Sequence, residues 1–189
     1  HTAYSLLDSM IRIPELVKRV AELNQSACAI TDHGTLAGAV KFTEACLKKG
    51  IKPLIGQEFY VAPDSRLRKS YPKGAHSNSH LIVFAKNDRG WKNLMKLSTI
   101  GFTEGFYRKP RIDKEVLYDY SDGLIVTSAC IGGDIAIYLK GGVDPEGDHK
   151  VEYSRSMALA NAHWYMDLFE DDFYFEMQSY GRSYQEEVN

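Results

Sequence analysis

The chain has 189 residues, 44% hydrophobic and 25% charged, which is enough for one domain with its own core, too short for two ordinary ones, and too apolar for a disordered segment. A formal net charge of −2 gives no global attraction to a polyanion, so any nucleic-acid contact has to come from a local patch. Three cysteines do not build a disulfide framework and point to a reducing compartment, and no run reaches the roughly 18 apolar residues a membrane span needs, so a cytoplasmic protein away from the membrane is expected.

The chain starts at His1, not Met, and enters a patterned stretch at once, which reads as an excerpt of a longer protein. Ile13 to Asn24 is patterned as a helix, with Pro14 in the first turn, where a missing N–H is harmless, and Leu16, Val20 and Leu23 on one face. Ala27 to Thr31 is a short apolar run, expected as a buried strand. Thr35 to Lys49 predicts a helix with Leu36, Val40, Thr43 and Leu47 as its apolar stripe, stopped by Gly50. Pro53 to Val61 and Leu81 to Ala85 read as strands. Asp88 to Ile100 reads as a helix with Trp91, Leu94, Met95 and Leu97 apolar. Gly123 to Ala129 is strand-like, and Gly133 to Leu139 is a short helix. Glu146 to Phe169 predicts a long helix with Met157, Ala160, Trp164 and Leu168 on one face, and Phe173 to Met177 alternates as a last strand. About five strands separated by helices imply βα units and a mainly parallel sheet, either open and doubly wound or closed into a barrel.

Two stretches break the alternation. Ala62 to Ser79 carries Arg66, Arg68, Lys69 and Lys73 against the single acid Asp64, and a solvated surface is its simpler reading. Phe106 to Asp113 places Arg108, Lys109 and Arg111 beside aromatic residues. Both are expected as loops.

The chemically able residues fall at predicted strand ends: His1 and Asp8, Asp32 and His33 after the Ala27 strand, Glu58 within the Pro53 strand, His80 opening the Leu81 strand, and Cys130 closing the Gly123 strand. In parallel α/β folds such ends converge on one face, and His, Asp, Glu and Cys are the metal-ligand inventory. Each has a simpler role when taken alone. A single His packs, Asp32 or Asp8 caps a helix, and Cys130 is a small buried hydrophobe. Cys28 and Cys46 are expected in the core, His76 and His149 on the surface, and His163 has no assigned role. The set as a whole is what points to metal.

The segments His1–Asp8, Ile30–Gly34, Gly50–Glu58, His80–Asn87 and Gly105–Asp113 resemble the polymerase-and-histidinol-phosphatase (PHP) domain. Within that family they are most similar to the branch found at the N-terminus of bacterial DNA polymerase III alpha subunits, and the likeness runs over nearly all of residues 1–189. The resemblance implies a distorted (β/α)7-type barrel with two to three divalent ions at the strand C-terminal ends. On the family pattern the metal ligands are His1, Asp8, His33, Glu58, His80 and Cys130, with Asp32 in a supporting position and His33 and Glu58 central to catalysis. The pattern enters mid-motif at His1 and stops before a final ligand pair, so the barrel is expected to be incomplete at both ends, lacking its first strand and last βα units.

Imidazole and carboxylate ligands suit zinc, manganese or iron, and a Cys130 thiolate favours zinc. The resemblance implies a metal-dependent phosphoesterase acting as a 3′–5′ proofreading exonuclease on a DNA 3′ end, with Arg108, Lys109 and Arg111 meeting phosphates and the other polymerase domains as partners. Two alternatives remain at this point. One is a non-catalytic domain that docks a separate proofreading exonuclease subunit. The other is a small-molecule phosphatase of the histidinol-phosphate type.

Overall fold

A computed structural model describes residues 1–143, 150–179 and 188–189. Helix α1 (Ile13–Glu22) follows the proline-initiated start, but its packed face is Ile13, Val17 and Val20, with Leu23 half exposed. Strand β1 (Ala27–Ile30) leads to α2 (Ala39–Leu47), which is shorter than the pattern predicts. The face of α2 is also different. Phe42 and Cys46 are fully buried at 0% exposure, whereas Val40 is 68% exposed. Leu36–Val40–Thr43–Leu47 and Ala39–Phe42–Cys46 are both helix-periodic, and only the position of α1 selects between them.

Strands β2 (Lys52–Val61) and β3 (Ser79–Ala85) and helix α3 (Asp88–Thr103) lie where the pattern puts them. The Asn87 side chain caps α3, accepting from the Gly90 amide at 2.9 Å. Two further elements appear, one inside the Phe106–Asp113 stretch expected as loop and one just after it, where the pattern predicts no element. They are β4 (Arg111–Ile112) and α4 (Lys114–Asp119), which is capped by Asp113 accepting from the Val116 amide. Neither is long enough to show a period. Strand β5 (Leu124–Thr127) and helix α5 (Ala136–Lys140) follow, then the small β6–β7 pair (Gly142–Val143, Lys150–Val151). Helix α6 (Arg155–Phe169) begins at a Ser154 cap, the expected start at Glu146 lying outside the described residues, and its buried face is Ala158, Ala162, Tyr165 and Phe169 in place of the Met157 stripe. Strand β8 (Phe173–Tyr174) ends the sheet. His149 lies outside the described residues.

The main sheet has six strands in the order β1-β2-β3-β5-β8, with β4 also on β2. Pairs β1/β2, β2/β4 and β5/β8 are parallel, as βα units require, but β3 runs antiparallel to both β2 and β5. The sheet is therefore mixed, which corrects the expectation of a mainly parallel one. The reason lies in the connection. The 62–78 segment carries no crossover helix, so the chain re-enters the sheet at the end where β2 left it. Among the described residues the sheet does not close on itself.

Two packed regions hold the sheet in place. Phe59, Val61, Leu81, Val83, Leu94, Leu97, Leu124 and Val126 pack the sheet against α3 and α6, and a second cluster joins α1, α2 and β1. Beneath the start of β3, the buried Asp134 accepts from Ser79 Oγ at 2.6 Å and Tyr165 Oη at 3.0 Å, while its amide donates to the His80 carbonyl. Burial pushes the Asp134 carboxyl up, a rise that those two hydrogen bonds and the nearby Lys114 oppose. This network ties the residues after β5 to the N-terminal end of β3. No described helix is long and apolar enough to cross a membrane.

The face chosen by α2 is open to direct measurement. Phe42→Ala should cost about 3–4 kcal/mol in chemical denaturation, and Val40→Ala, on the stripe the sequence pattern favours, less than about 0.5 kcal/mol.

Candidate metal centre

The centre is organised around Glu58. The chain leaving β1 continues beside β2, where His33 and Glu58 form a parallel bridge, the Glu58 amide donates to the Asp32 carbonyl, and the Gly34 amide returns to the Glu58 carbonyl at 2.8 Å. Gly34 turns here with φ +63, and a Cβ at this position would stand 2.9 Å from the Pro110 ring. Asp32, 1% exposed, caps no helix. Its carboxylate accepts from the Thr2 amide (2.5 Å), Thr2 Oγ1 (2.8 Å) and Ser5 Oγ (2.7 Å). Ser5 Oγ in turn accepts from the His33 amide at 3.1 Å. Asp32 thereby pins the N-terminal segment, with His1 at its head, against the strand that carries His33.

Three imidazoles face one carboxylate. His1 Nε2 lies 3.3 Å from Glu58 Oε2, while His33 Nδ1 and His80 Nδ1 lie 3.1 and 2.8 Å from Oε1. The His1 and His33 rings stack at 4.0 Å. Asp8 Oδ2 reaches the far nitrogen of His33 at 3.4 Å, and Cys130 Sγ lies 3.7 Å from His80 Nδ1. The β3 reversal explains part of this convergence: Tyr60 pairs with His80, so the first residues of β3 meet the last residues of β2.

His1 Nδ1 lies 2.7 Å from the Thr31 carbonyl. A carbonyl only accepts, so Nδ1 carries the hydrogen and the Nε2 of neutral His1 turns a lone pair toward Glu58. An imidazole that donates one nitrogen to a backbone carbonyl and presents the other is the arrangement found around metal-bound histidines. His33 Nδ1 and Glu58 Oε1 are both buried, and neither makes a hydrogen bond of good geometry although they face each other. Ligands bonded to zinc at about 2.0–2.1 Å stand roughly 3.3 Å apart around a tetrahedron, close to these separations. His1, His33 and Glu58 offer donor atoms that all lie within 4.8 Å of one another, a group that could hold a metal ion. Burial alone would push Glu58 up. With His1, His33 and His80 protonated, their charges around the carboxylate would outweigh burial and hold the carboxyl well below the usual carboxylate range, as an anion.

Tyr60, absent from the sequence-level candidates, belongs beside this group. It lies two residues past Glu58 on β2 and so shares its side of the strand. Its ring sits 6.1 Å from His33 and 5.4 Å from His80, and Lys109 Nζ lies 5.0 Å over it. Asp8, His33, Tyr60, His80 and Lys109 line an open cleft of about 730 Å³.

The PHP domain family matches residues 1–180. The chain belongs to the PHP domain family. Curated relatives named DNA polymerase III subunit alpha are 42% identical over all 189 residues in Borreliella burgdorferi, 41% over 178 residues (94% of this chain) in Chlamydia pneumoniae, and 40% over 194 aligned positions spanning the whole chain in Aquifex aeolicus. This PHP domain covers 16%, 13% and 16% of those proteins. A solved Bifidobacterium adolescentis structure, assigned provisionally as a metal-dependent phosphoesterase, overlaps 52% of this chain and 30% of its own at 23% identity and a TM-score of 0.38, a likeness that carries no further argument.

The basic segment of the PHP domain divides in a way its sequence does not show. Arg108 is exposed and Lys109 faces the cleft, but Arg111 is completely buried at 0% exposure and cannot reach a phosphate. Its guanidinium donates to the Gly105, Ser77, Arg66 and Arg68 carbonyls and to Tyr71 Oη. That is five bonds for five N–H groups, which makes Arg111 the pin of the 62–78 connection. Arg66 is likewise enclosed, bonded to Glu104, Asp113 and Glu115 from α3 and α4, and is no solvated surface charge.

Arg111→Ala should lower stability by about 3 kcal/mol or more, read as a fall in Tm, because it orphans buried carbonyls. Asp32→Ala should lower metal affinity about 10- to 100-fold in a chelator competition although Asp32 touches none of the metal-facing atoms; unchanged affinity would remove its positioning role.

Proposed function

We propose that this PHP domain is a metal-dependent phosphoesterase, the N-terminal portion of a bacterial DNA polymerase III alpha subunit, and that it acts as a 3′–5′ exonuclease on DNA 3′ ends. The observation that carries the reading is the convergence of three imidazoles on the buried carboxylate of Glu58, two of which, His33 and His80, also line an open cleft. The relatives support the polymerase context, and the remaining polymerase domains are then its partners. Completion of the sheet into a (β/α)7-type barrel by chain outside residues 1–189 belongs to the same proposal.

The ligand set is His1, Asp8, His33, Glu58, His80 and Cys130, holding two to three divalent ions. Zinc fits best because a thiolate joins the imidazoles, with manganese or iron as the other candidates. Bound divalent ions would lower the pKa of a coordinated water, hold a phosphoryl oxygen and stabilise the leaving alkoxide. The protein supplies the rest. Glu58 offers one oxygen toward His1 and the other toward His33 and His80, which suits a bridging carboxylate. His1 is held in one tautomer by Thr31, and Asp32 keeps the N-terminal segment in place. Tyr60 packs beside both His33 and His80, whose own rings meet edge-on at 5.9 Å.

The docking-only alternative is the weaker reading, because every donor position of the pattern within this chain holds a competent residue and those residues meet. The histidinol-phosphate alternative shares the donors, and an assay separates it from the main reading.

Elemental analysis of the full-length protein should find two to three divalent ions, and finding none after reconstitution, with His33 and Glu58 intact, would sink the metal reading. His33→Ala should lower release of a mismatched 3′ nucleotide at least about 100-fold with little change in Tm. Faster turnover of histidinol phosphate than of the primer would favour the phosphatase instead.

A further inference from the structure

The two basic segments hold seven cations, Arg66, Arg68, Lys69, Lys73, Arg108, Lys109 and Arg111. Four are engaged within the fold. Arg66 pairs with Glu104, Asp113 and Glu115, Arg68 with Asp64, Lys69 bonds the Arg66 and Glu104 carbonyls, and Arg111 is the buried pin described above. Among the described residues the other three, Lys73, Arg108 and Lys109, form no ion pair with a carboxylate.

Those three line two cavities on either side of one tight turn. Lys109 faces the metal cleft with Asp8, His33 and His80. Lys73 and Arg108 line the neighbouring cavity of about 270 Å³ with Tyr71, Ser77 and Tyr107. The turn is closed by the Tyr107 amide donating to the Lys109 carbonyl at 3.0 Å, and Arg108 at its apex holds φ +60, a conformation that non-glycine residues rarely adopt. Such a residue persists only where its surroundings over-determine it. Here Arg111 does so, bonding Gly105 on one side of the turn and Tyr71 and Ser77 on the far wall of the second cavity. The strain sends two adjacent cations into different cavities.

We infer that the two cavities form one track for a single polynucleotide strand, with Lys109 on the phosphate beside the reacting bond and Arg108 and Lys73 on a phosphate further along the same strand. A mononucleotide or small phosphate ester would engage only the Lys109 side. A strand engages both, and the Tyr107 ring and the Arg108 guanidinium offer flat surfaces of the kind on which bases stack. The inference rests on the phosphoesterase reading for the identity of the reacting bond. The track itself needs no bound metal.

The test is photo-crosslinking of a single-stranded oligothymidylate, carrying 4-thiothymidine near its 3′ end, to the full-length protein with its metals chelated, and peptide mapping of the adduct. Adducts should map to residues 71–77 or 106–110. The Arg108→Asn, Lys73→Ala double variant, exposed and suited to the left-handed turn, should lower their yield at least about tenfold at constant salt, and Arg108→Lys should retain most of it. Adducts only elsewhere, or a yield indifferent to the double variant, overturn the track. Hydrolysis of bis(p-nitrophenyl) phosphate by the metal-loaded parent reports separately on the phosphoesterase reading. Turnover without these adducts rejects the track alone, and adducts without turnover reject the phosphoesterase reading alone.

Discussion

A carboxylate at 3% exposure is the constraint from which the rest of this site follows. Taking an anion out of water costs several kcal/mol unless cations or hydrogen-bond donors replace the lost hydration. Glu58 is held by the β2 ladder, in the middle of its strand and bridged to His33, so it has no route to solvent. The surroundings must come to it, and they do from three directions: the N-terminal segment brings His1, the chain after β1 brings His33, and the reversed β3 brings His80. The hydrogen bonds that hold these three backbones, through Asp32, the Gly34 turn and Asp134, are where the fold meets the chemistry.

The second buried charge, Arg111, solves the same problem in the opposite sense. A cation out of water needs acceptors, and the 62–78 connection wraps around it to supply carbonyls. A segment without regular structure thereby gains a defined shape, which sets the wall of one cavity and the turn that separates it from the next. The network of Arg66 with Glu104, Asp113 and Glu115 fastens the same connection to α3 and α4. The charge-rich stretches of this chain therefore work mainly as structure, and only the cations left over face the cavities.

The ordering of elements was readable because each period is local. Proline at the start of α1 and the apolar runs of β2 and β3 are signals carried within a few residues. The choice of packed face was not readable. In α1, α2 and α6 two neighbouring stripes are both apolar, and a helix turned by one residue satisfies the periodicity equally well. Val40 and Met157 illustrate the cost of that ambiguity, since each sits on the expected stripe and each stands in solvent.

From the sequence alone came the α/β class, the candidate donors His1, Asp8, His33, Glu58, His80 and Cys130, and the family, because strand ends and ligand chemistry are written in residue type and spacing. Tertiary structure alone decided three further matters. It reversed β3, since strand direction depends on how the connection packs. It buried Arg111 while leaving Arg108 and Lys109 to the cavities, since three cations close together in sequence carry the same charge until the fold gives each its neighbours. And it placed Tyr60 beside two histidines distant in sequence, since contacts across a sheet exist only once register is set.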